Sequence, residues 1–395
     1  ALDPLGGSQV LPYVECLTDR GHHFDLLTYE KPSRWAVSSD VNQMETRLGE
    51  RGVNWHPLPY HRRPPALGTA LDLRRGLAKA NELHSSVGFD LVHVRSYPCA
   101  TIALSLKRSH GLPYVFDMRG FYPEERVDGG LWTADGLLYS LTKRLEADFL
   151  REAGAVVTLT ESSVPVLCEL MERVGADASV YVVPTAVDVG RFSVSPVEDP
   201  PRVVYLGSVG TWYRTDVMVQ LAQNWLGMRP NLLVDLVING DPQVLTTAVA
   251  GQPNEVQERI RVRSVDHSAV PGVMAGALAT FAVIDPAPSK IASAPTKVGE
   301  SLASGLPILT NRGVGDVAGW VEAEGVGAIL EGFTPTECSA AASALLRVAE
   351  TPGIRDKCRA FAERALSLGE AVSTYDRIYR HLVGPSEERV GGGGE

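Results

Sequence analysis

Lys297 and Glu300 stand three residues apart on a segment that reads as a short helix, Ser293-Ala294-Pro295-Thr296-Lys297-Val298-Gly299-Glu300-Ser301-Leu302-Ala303-Ser304-Gly305. Ser293 or Thr296 can cap its start, Pro295 suits the first turn, and Gly305 ends it. A helix start offers free N–H groups and the positive end of the dipole, which together favour an anion. Lys297 adds a point charge there. Glu300 shares its face and can accept hydrogen bonds from two neighbouring hydroxyls. Phosphate beside a vicinal diol describes a nucleotide, although a plain surface Lys–Glu pair has the same spacing.

A second signal is Tyr205-Leu206-Gly207-Ser208-Val209-Gly210-Thr211-Trp212-Tyr213-Arg214, where a strand runs into a glycine turn. Glycine lets backbone approach a ligand closely, and Arg214 carries a bidentate fork suited to a diphosphate. Trp212 and Tyr213 read more readily as packing residues than as stacking platforms. The third group is His93-Val94-Arg95-Ser96-Tyr97 together with the charged run Asp117-Met118-Arg119-Gly120-Phe121-Tyr122-Pro123-Glu124-Glu125-Arg126-Val127-Asp128. Each follows an apolar run, so both are expected at the carboxyl edge of a sheet. Such mixed charge can bind sugar hydroxyls or an anionic acceptor, or form a solvated loop held by its own ion pairs. No H-E-x-x-H, G-x-S-x-G or Walker-type loop is present. The stretch Asn311-Arg312-Gly313-Val314-Gly315-Asp316 reads as a strand-to-helix turn near the cleft.

These residues need elements to hold them. Short apolar runs at Phe24–Thr28, Leu91–Val94, Tyr114–Phe116, Val156–Leu159 and Val180–Val183 alternate with helical stretches such as Leu71–Leu83 and Leu137–Leu150. A proline-rich polar stretch between Pro184 and Arg202 interrupts the pattern. A second series follows at Val203–Leu206, Leu232–Ile238, Ile260–Val265, Leu278–Ile284 and Ile308–Thr310, and a helix at Ala371–Val383 closes it. Alternation of this kind predicts α/β architecture, two doubly wound Rossmann-like domains facing a cleft. The expected divisions are 1–188, 189–370 and a closing helix with a flexible glycine tail, 371–395. Gly6-Gly7 reads as a loop, with Ser8 as the cap of a helix burying Val10, Val14 and Leu17. A glycine loop opening a helix normally follows a buried strand, so a first strand is expected ahead of it.

The chain has 395 residues, 44 % of them hydrophobic, enough for two or three domains with their own cores. Its net charge of −10 argues against a nucleic-acid or anionic-lipid partner of the broadly electrostatic kind, and no membrane association is evident. Five scattered cysteines without a C-x-x-C pair suit a reduced, cytoplasmic protein with no zinc site.

In this order the motifs resemble the bacterial GT-B glycosyltransferases of the family 4, or group 1, type. The resemblance rests on Asp3-Pro4-Leu5-Gly6-Gly7-Ser8-Gln9, His93–Tyr97, Asp117–Gly120, Gly207–Tyr213 and Pro295–Glu300. It implies a retaining, metal-independent transferase without a cofactor, using a UDP- or GDP-linked sugar donor. The implied catalytic set is His93, Arg95, Asp117, Arg119, Arg214 and Lys297. Donor contacts would come from Gly6, Gly7, Gly207, Ser208, Val265, Ser293, Thr296, Lys297 and Glu300. Ser8, Gln9, Tyr97, Glu124 and Glu125 would face the acceptor, a cell-surface glycan precursor or natural-product intermediate. Two positions depart from the pattern: Ala292 replaces the first glutamate of E-x7-E, and Arg95 the second histidine of H-x-H. A sugar-nucleotide epimerase and a non-catalytic nucleotide-sugar-binding protein remain as alternatives.

Overall fold

The computed structural model describes residues 1–61, 64–210 and 212–384. Thr211 and the tail 385–395, with its four glycines, lie outside them. Twelve strands are described, all paired in parallel within three sheets.

The second half is built on one sheet in the order β12-β11-β10-β7-β8-β9. Its strands are β7 (Arg202–Gly207), β8 (Leu233–Ile238), β9 (Ile260–Ser264), β10 (Ala279–Ala282), β11 (Ile308–Asn311) and β12 (Gly327–Leu330). Helices cover both faces, so Val203, Val204, Tyr205, Val234, Leu236, Val237 and Phe281 are all buried and the inner strands read as apolar runs, while the edge strand β9 exposes Arg261 and Arg263. The chain starts at β7, winds outward through β8 and β9, then crosses to β10 on the other side. The sheet's switch point therefore lies between β7 and β10, where loops diverge and leave a crevice. Both loops bordering that crevice carry residues singled out above: Gly207–Arg214 after β7, and the segment leading to the Thr296–Ala303 helix after β10.

The first half has β1 (Phe24–Glu30) paired only with β2 (Val53–Pro59), and a separate sheet of β3 (Val92–Arg95), β4 (Tyr114–Asp117), β5 (Ala155–Thr158) and β6 (Ser179–Val182). Between β1 and β3 runs a groove of about 780 Å³, lined by Leu27, Tyr29, Leu83, Val92 and His93 among others. No described strand occupies it. The Leu368–Val383 helix returns to this half, where Val372, Tyr375 and Ile378 pack with Tyr13, Leu17, Val115 and Val157. His22 Nε2 binds Asp376 Oδ1 of that helix at 2.7 Å.

Some local expectations change. Gly6, Gly7 and Ser8 lie inside a short helix, Pro4–Gln9, and a second helix, Leu11–Thr18, begins after Val10, so Ser8 caps neither. Pro12 falls in the first turn of that second helix, where its missing N–H removes no bond. Pro295 occupies the cap position of the Lys297 helix, and no side chain caps it, so neither Ser293 nor Thr296 does. The strand β2 carried no sequence signal because Pro57 and Pro59 fall within it; it is an edge strand, where proline is tolerated.

Candidate functional site

At the switch point Lys297 points inward. Its side chain is 8 % exposed, and the ammonium lies over two rings, 4.6 Å from the Tyr205 centroid and 4.5 Å from that of Tyr213. Tyr205 Oη is 3.3 Å from Nζ. Among the described residues no carboxylate comes within 4.0 Å of that ammonium. Burial pulls the lysine below its usual pKa, against the opposing pull of Tyr213 and Glu300. The same ammonium draws the Tyr213 phenol down. Gly207 makes room: a Cβ there would overlap the Lys297 ammonium. A cation withdrawn from water without a counter-charge is expensive, so the site is arranged for an anion to complete it.

Glu300, one helical turn on, is 5 % exposed, and burial pushes its carboxyl up to about 7 against Arg191 and Lys297. His267 Nε2 stands 4.0 Å from its Oε1. Burial, with Arg191, holds that imidazole below its normal range. Val265 is half-buried in the loop after β9, packed on the core that carries Val298 and Leu302. Ser208 offers its carbonyl to Tyr205 Oη at 2.6 Å.

Arg214 corrects the sequence reading. Its fork is not free: Nε and Nη2 bind Asp216 at 3.0 and 2.7 Å, Nη1 is 3.8 Å from Asp285, and the guanidinium lies over Phe333. To hold a diphosphate it would have to exchange a carboxylate for it.

Across the cleft, the ends of β3 and β4 bring His93, Arg95, Asp117 and Arg119 together. Ser96 and Arg119 are the non-glycine residues with positive φ among those described, at 74° and 61°, and they follow these two neighbouring strands. Strain of this kind persists where surrounding structure enforces it, commonly at functional edges. Asp117 is buried; burial alone would raise its pKa, but Arg119, His93 and Arg95 outweigh that and hold it below the usual value. Its Oδ2 takes a bond from Tyr375 Oη at 3.3 Å, and its Oδ1 has no partner. Arg119 donates to Thr185 Oγ1 at 3.3 Å, and Arg95 donates to the Gln9 carbonyl. Gln9 is fully buried, its Nε2 3.5 Å from the Ala186 carbonyl and its Oε1 unpaired. His93 is held by Tyr379 Oη at 2.5 Å and packs on the Tyr375 ring, 5.1 Å between centroids.

Two acceptor-side expectations are corrected. Tyr97 is a core residue, 2 % exposed, donating to Glu146 at 2.6 Å and stacked on Tyr122. Glu124 is occupied by Lys143 at 2.9 Å and by Tyr139 Oη at 3.2 Å.

Glu125 instead belongs to a set of bridges between the two halves. Its Oε1 is 3.0 Å from Lys290, whose ammonium lies 3.9 Å from the Trp212 ring centroid. Asp128 accepts from the Ser289 amide at 2.9 Å, and Thr160 Oγ1 donates to the Ile291 carbonyl at 2.7 Å. Asp316 accepts from the Glu161 and Ser162 amides at 2.7 and 2.9 Å, capping a turn of the opposite half. Ala292 is buried in the core cluster of Met118 and Phe121, so a side chain of the first half fills the space beside it. Asp316 and Lys290 carry no sequence signal of these roles, because each depends on a partner more than 150 residues away.

Residues 6–186 match the family model described as glycosyl transferase 4-like domain. No curated protein matches the chain by sequence. Solved structures do match it by fold. A glycosyltransferase from Rickettsia africae aligns with TM-score 0.71 at 12 % identity over 98 % of this chain and 97 % of that one. Anabaena HepE in complex with UDP aligns with TM-score 0.68 at 15 % identity, covering 95 % and 96 %. Sucrose-phosphate synthase from Thermosynechococcus elongatus aligns with TM-score 0.62 at 14 % identity, covering 91 % and 99 %. This chain therefore has the GT-B fold, and its residues 6–186 are similar to a glycosyl transferase 4-like domain.

Proposed function

We propose that the protein transfers a sugar, with retention of configuration, from a nucleoside-diphosphate donor held by its second half to an acceptor entering along its first. The observation that carries this reading is the buried Lys297 ammonium with no carboxylate in contact among the described residues, beside an uncapped helix start. In such a transfer the anomeric carbon becomes oxocarbenium-like while negative charge grows on the departing diphosphate. Lys297 and the free amides of the helix start meet that charge where it develops, which lowers the barrier rather than merely tightening the ground state. Glu300, when ionised, accepts from the ribose diol and fixes the nucleotide's orientation. The reading assigns the leaving group's charge to these groups and calls on no metal ion.

A uridine donor is the first choice to test, since the fold neighbour HepE was solved with UDP and with UDP-glucose. The bridges through Asp316, Lys290 and Asp128 keep the halves together over the bound donor, and exclusion of water favours transfer over hydrolysis. Asp117, held ionised between Arg95 and Arg119, is positioned to order those two guanidinium groups towards the acceptor. The test is UDP release from UDP-glucose, with and without an acceptor panel, by wild type, Lys297→Ala and Glu300→Ala. Losing one donor to the developing charge typically lowers turnover about 10²–10³-fold. Equal rates in all three would place the chemistry elsewhere.

A further inference from the structure

Arg95 and Arg119 are anchored without being neutralised. Arg95 ends β3 opposite Asp117 at the end of β4. Asp117 is buried, and its Oδ2 stands 3.9 Å from Arg119 Nη1 and 3.8 Å from His93 Nε2. No other carboxylate among the described residues comes within 4.0 Å of either guanidinium. Each makes one neutral hydrogen bond besides, Arg95 to the Gln9 carbonyl and Arg119 to Thr185 Oγ1. A guanidinium is a planar fork of N–H donors, so most donors on both side chains are unspent. None of their nitrogens is among the buried atoms that lack a partner, so the unspent donors reach open space. Two cations thus share one buried carboxylate, and one positive charge is left over. Burial and the neighbouring Arg119 accordingly hold Arg95 below its ordinary pKa.

The contacts around the pair place it beside the Lys297 helix. Gly120 follows Arg119 and lies against the other half, where a Cβ on it would stand 3.8 Å from the Ala292 carbonyl. Thr185, which holds Arg119, leads into Val187, whose side chain would be 3.3 Å from a Cβ on Gly299, between Lys297 and Glu300. Resting on the transferase reading, we propose that Arg95 and Arg119 form a subsite for an oxyanion of the acceptor, so that the acceptor is a carboxylate- or phosphate-bearing compound whose charged group lies near the hydroxyl that receives the sugar. Neutral hydroxyls would leave the surplus charge uncompensated. An oxyanion removes it and matches the two forks bidentately. The donor's diphosphate already has Lys297 and the amides of its helix start, all on the second half. The arginines are fixed instead to β3, β4 and Gln9 of the first half, along which the acceptor enters.

Calorimetric titration of inorganic phosphate, and separately of acetate, into the UDP-saturated chain tests this. UDP fills the site at Lys297, so anion uptake reports on the arginines. Wild type is expected to take up one anion per chain with a Kd on the order of 1 mM, and the tighter of the two anions names the acceptor's charged group. Arg95→Lys and Arg119→Lys keep the charge but lose the fork, and each should weaken anion binding about tenfold or more. Their UDP affinity and melting temperature should match wild type. Lys297→Ala has the opposite profile: UDP affinity falls, while phosphate uptake measured without UDP persists, so the donor reading can fail without this one. Absence of uptake of either anion by wild type overturns the proposal, as does equal uptake by wild type and both lysine variants. Loss of UDP affinity in the lysine variants at an unchanged melting temperature also overturns it, since the pair would then belong to the donor.

Discussion

Glu300 gives the proposed donor site a pH dependence that can be worked out in advance. Its carboxyl is pushed up to about 7 by burial, yet a ribose diol needs the ionised form as acceptor. With that value, the ionised fraction rises from about one-tenth near pH 6 to about nine-tenths near pH 8. Affinity for UDP-glucose should then improve about tenfold over that interval, or ~1.4 kcal/mol. A sugar-capped diphosphate has no proton to lose in this range, so the ligand contributes nothing to the slope. His267, 4.0 Å away, is held below its normal pKa by burial and by Arg191, while Lys297 keeps a fixed place on the same helix. The assay is calorimetric titration of UDP-glucose at steps between those limits, on wild type and Glu300→Gln. The variant should bind more weakly near pH 8 and show no slope. Stability moves the other way. Because the folded pKa lies above the unfolded value of about 4.3, the carboxyl's contribution is complete below that pH and is lost as pH rises through about 7. Glu300→Gln escapes that loss, so its melting temperature should gain on wild type across the same window. A wild-type affinity that is flat from pH 6 to pH 8 would refute the reasoning.

Lys297→Met should stabilise the unliganded protein by on the order of 1–3 kcal/mol, read as a raised melting temperature, since a buried cation with no carboxylate contact among the described residues disappears. The same variant should bind UDP about 10²-fold more weakly by calorimetry, as a charge-assisted contact is lost. Gly207→Ala should likewise weaken UDP binding, because its new methyl overlaps the Lys297 ammonium and must displace it. Asp316→Ala removes an acceptor of two backbone amides and should cost about 1–2 kcal/mol in denaturant unfolding. Its radius of gyration by small-angle scattering should rise as the halves part. Hydrogen exchange should be faster in β1 and β3, each of which has one unpaired edge along the groove, than in β4, paired on both sides.

The inner strands of the second half's sheet were legible because they are buried on both faces. Runs such as Val234–Ile238 have no polar alternation except Asp235, which is neutralised by Arg202 at 3.1 Å. Lys297 and Glu300 were legible from helix spacing and the prolines and glycine around them. Other elements were not. The strand β2 hides behind its prolines, β12 has four residues, and a helix over Pro4–Gln9 runs against its two glycines. The electrostatic partners were illegible for another reason. That Tyr205 and Tyr213 face the lysine and that Asp316 caps a turn of the opposite half depend on how distant segments approach. Local pattern holds no record of that approach. Tyr97 shows the converse: a strand-end position suggested the cleft, while Glu146 on a packed helix draws its hydroxyl into the core.

The most direct measurement is a crystal structure of the protein with bound UDP. The account predicts a phosphate oxygen about 3 Å from Lys297 Nζ, with the ribose hydroxyls donating to Glu300. A nucleotide seated anywhere else, with the lysine still resting on Tyr205 and Tyr213 alone, would contradict it.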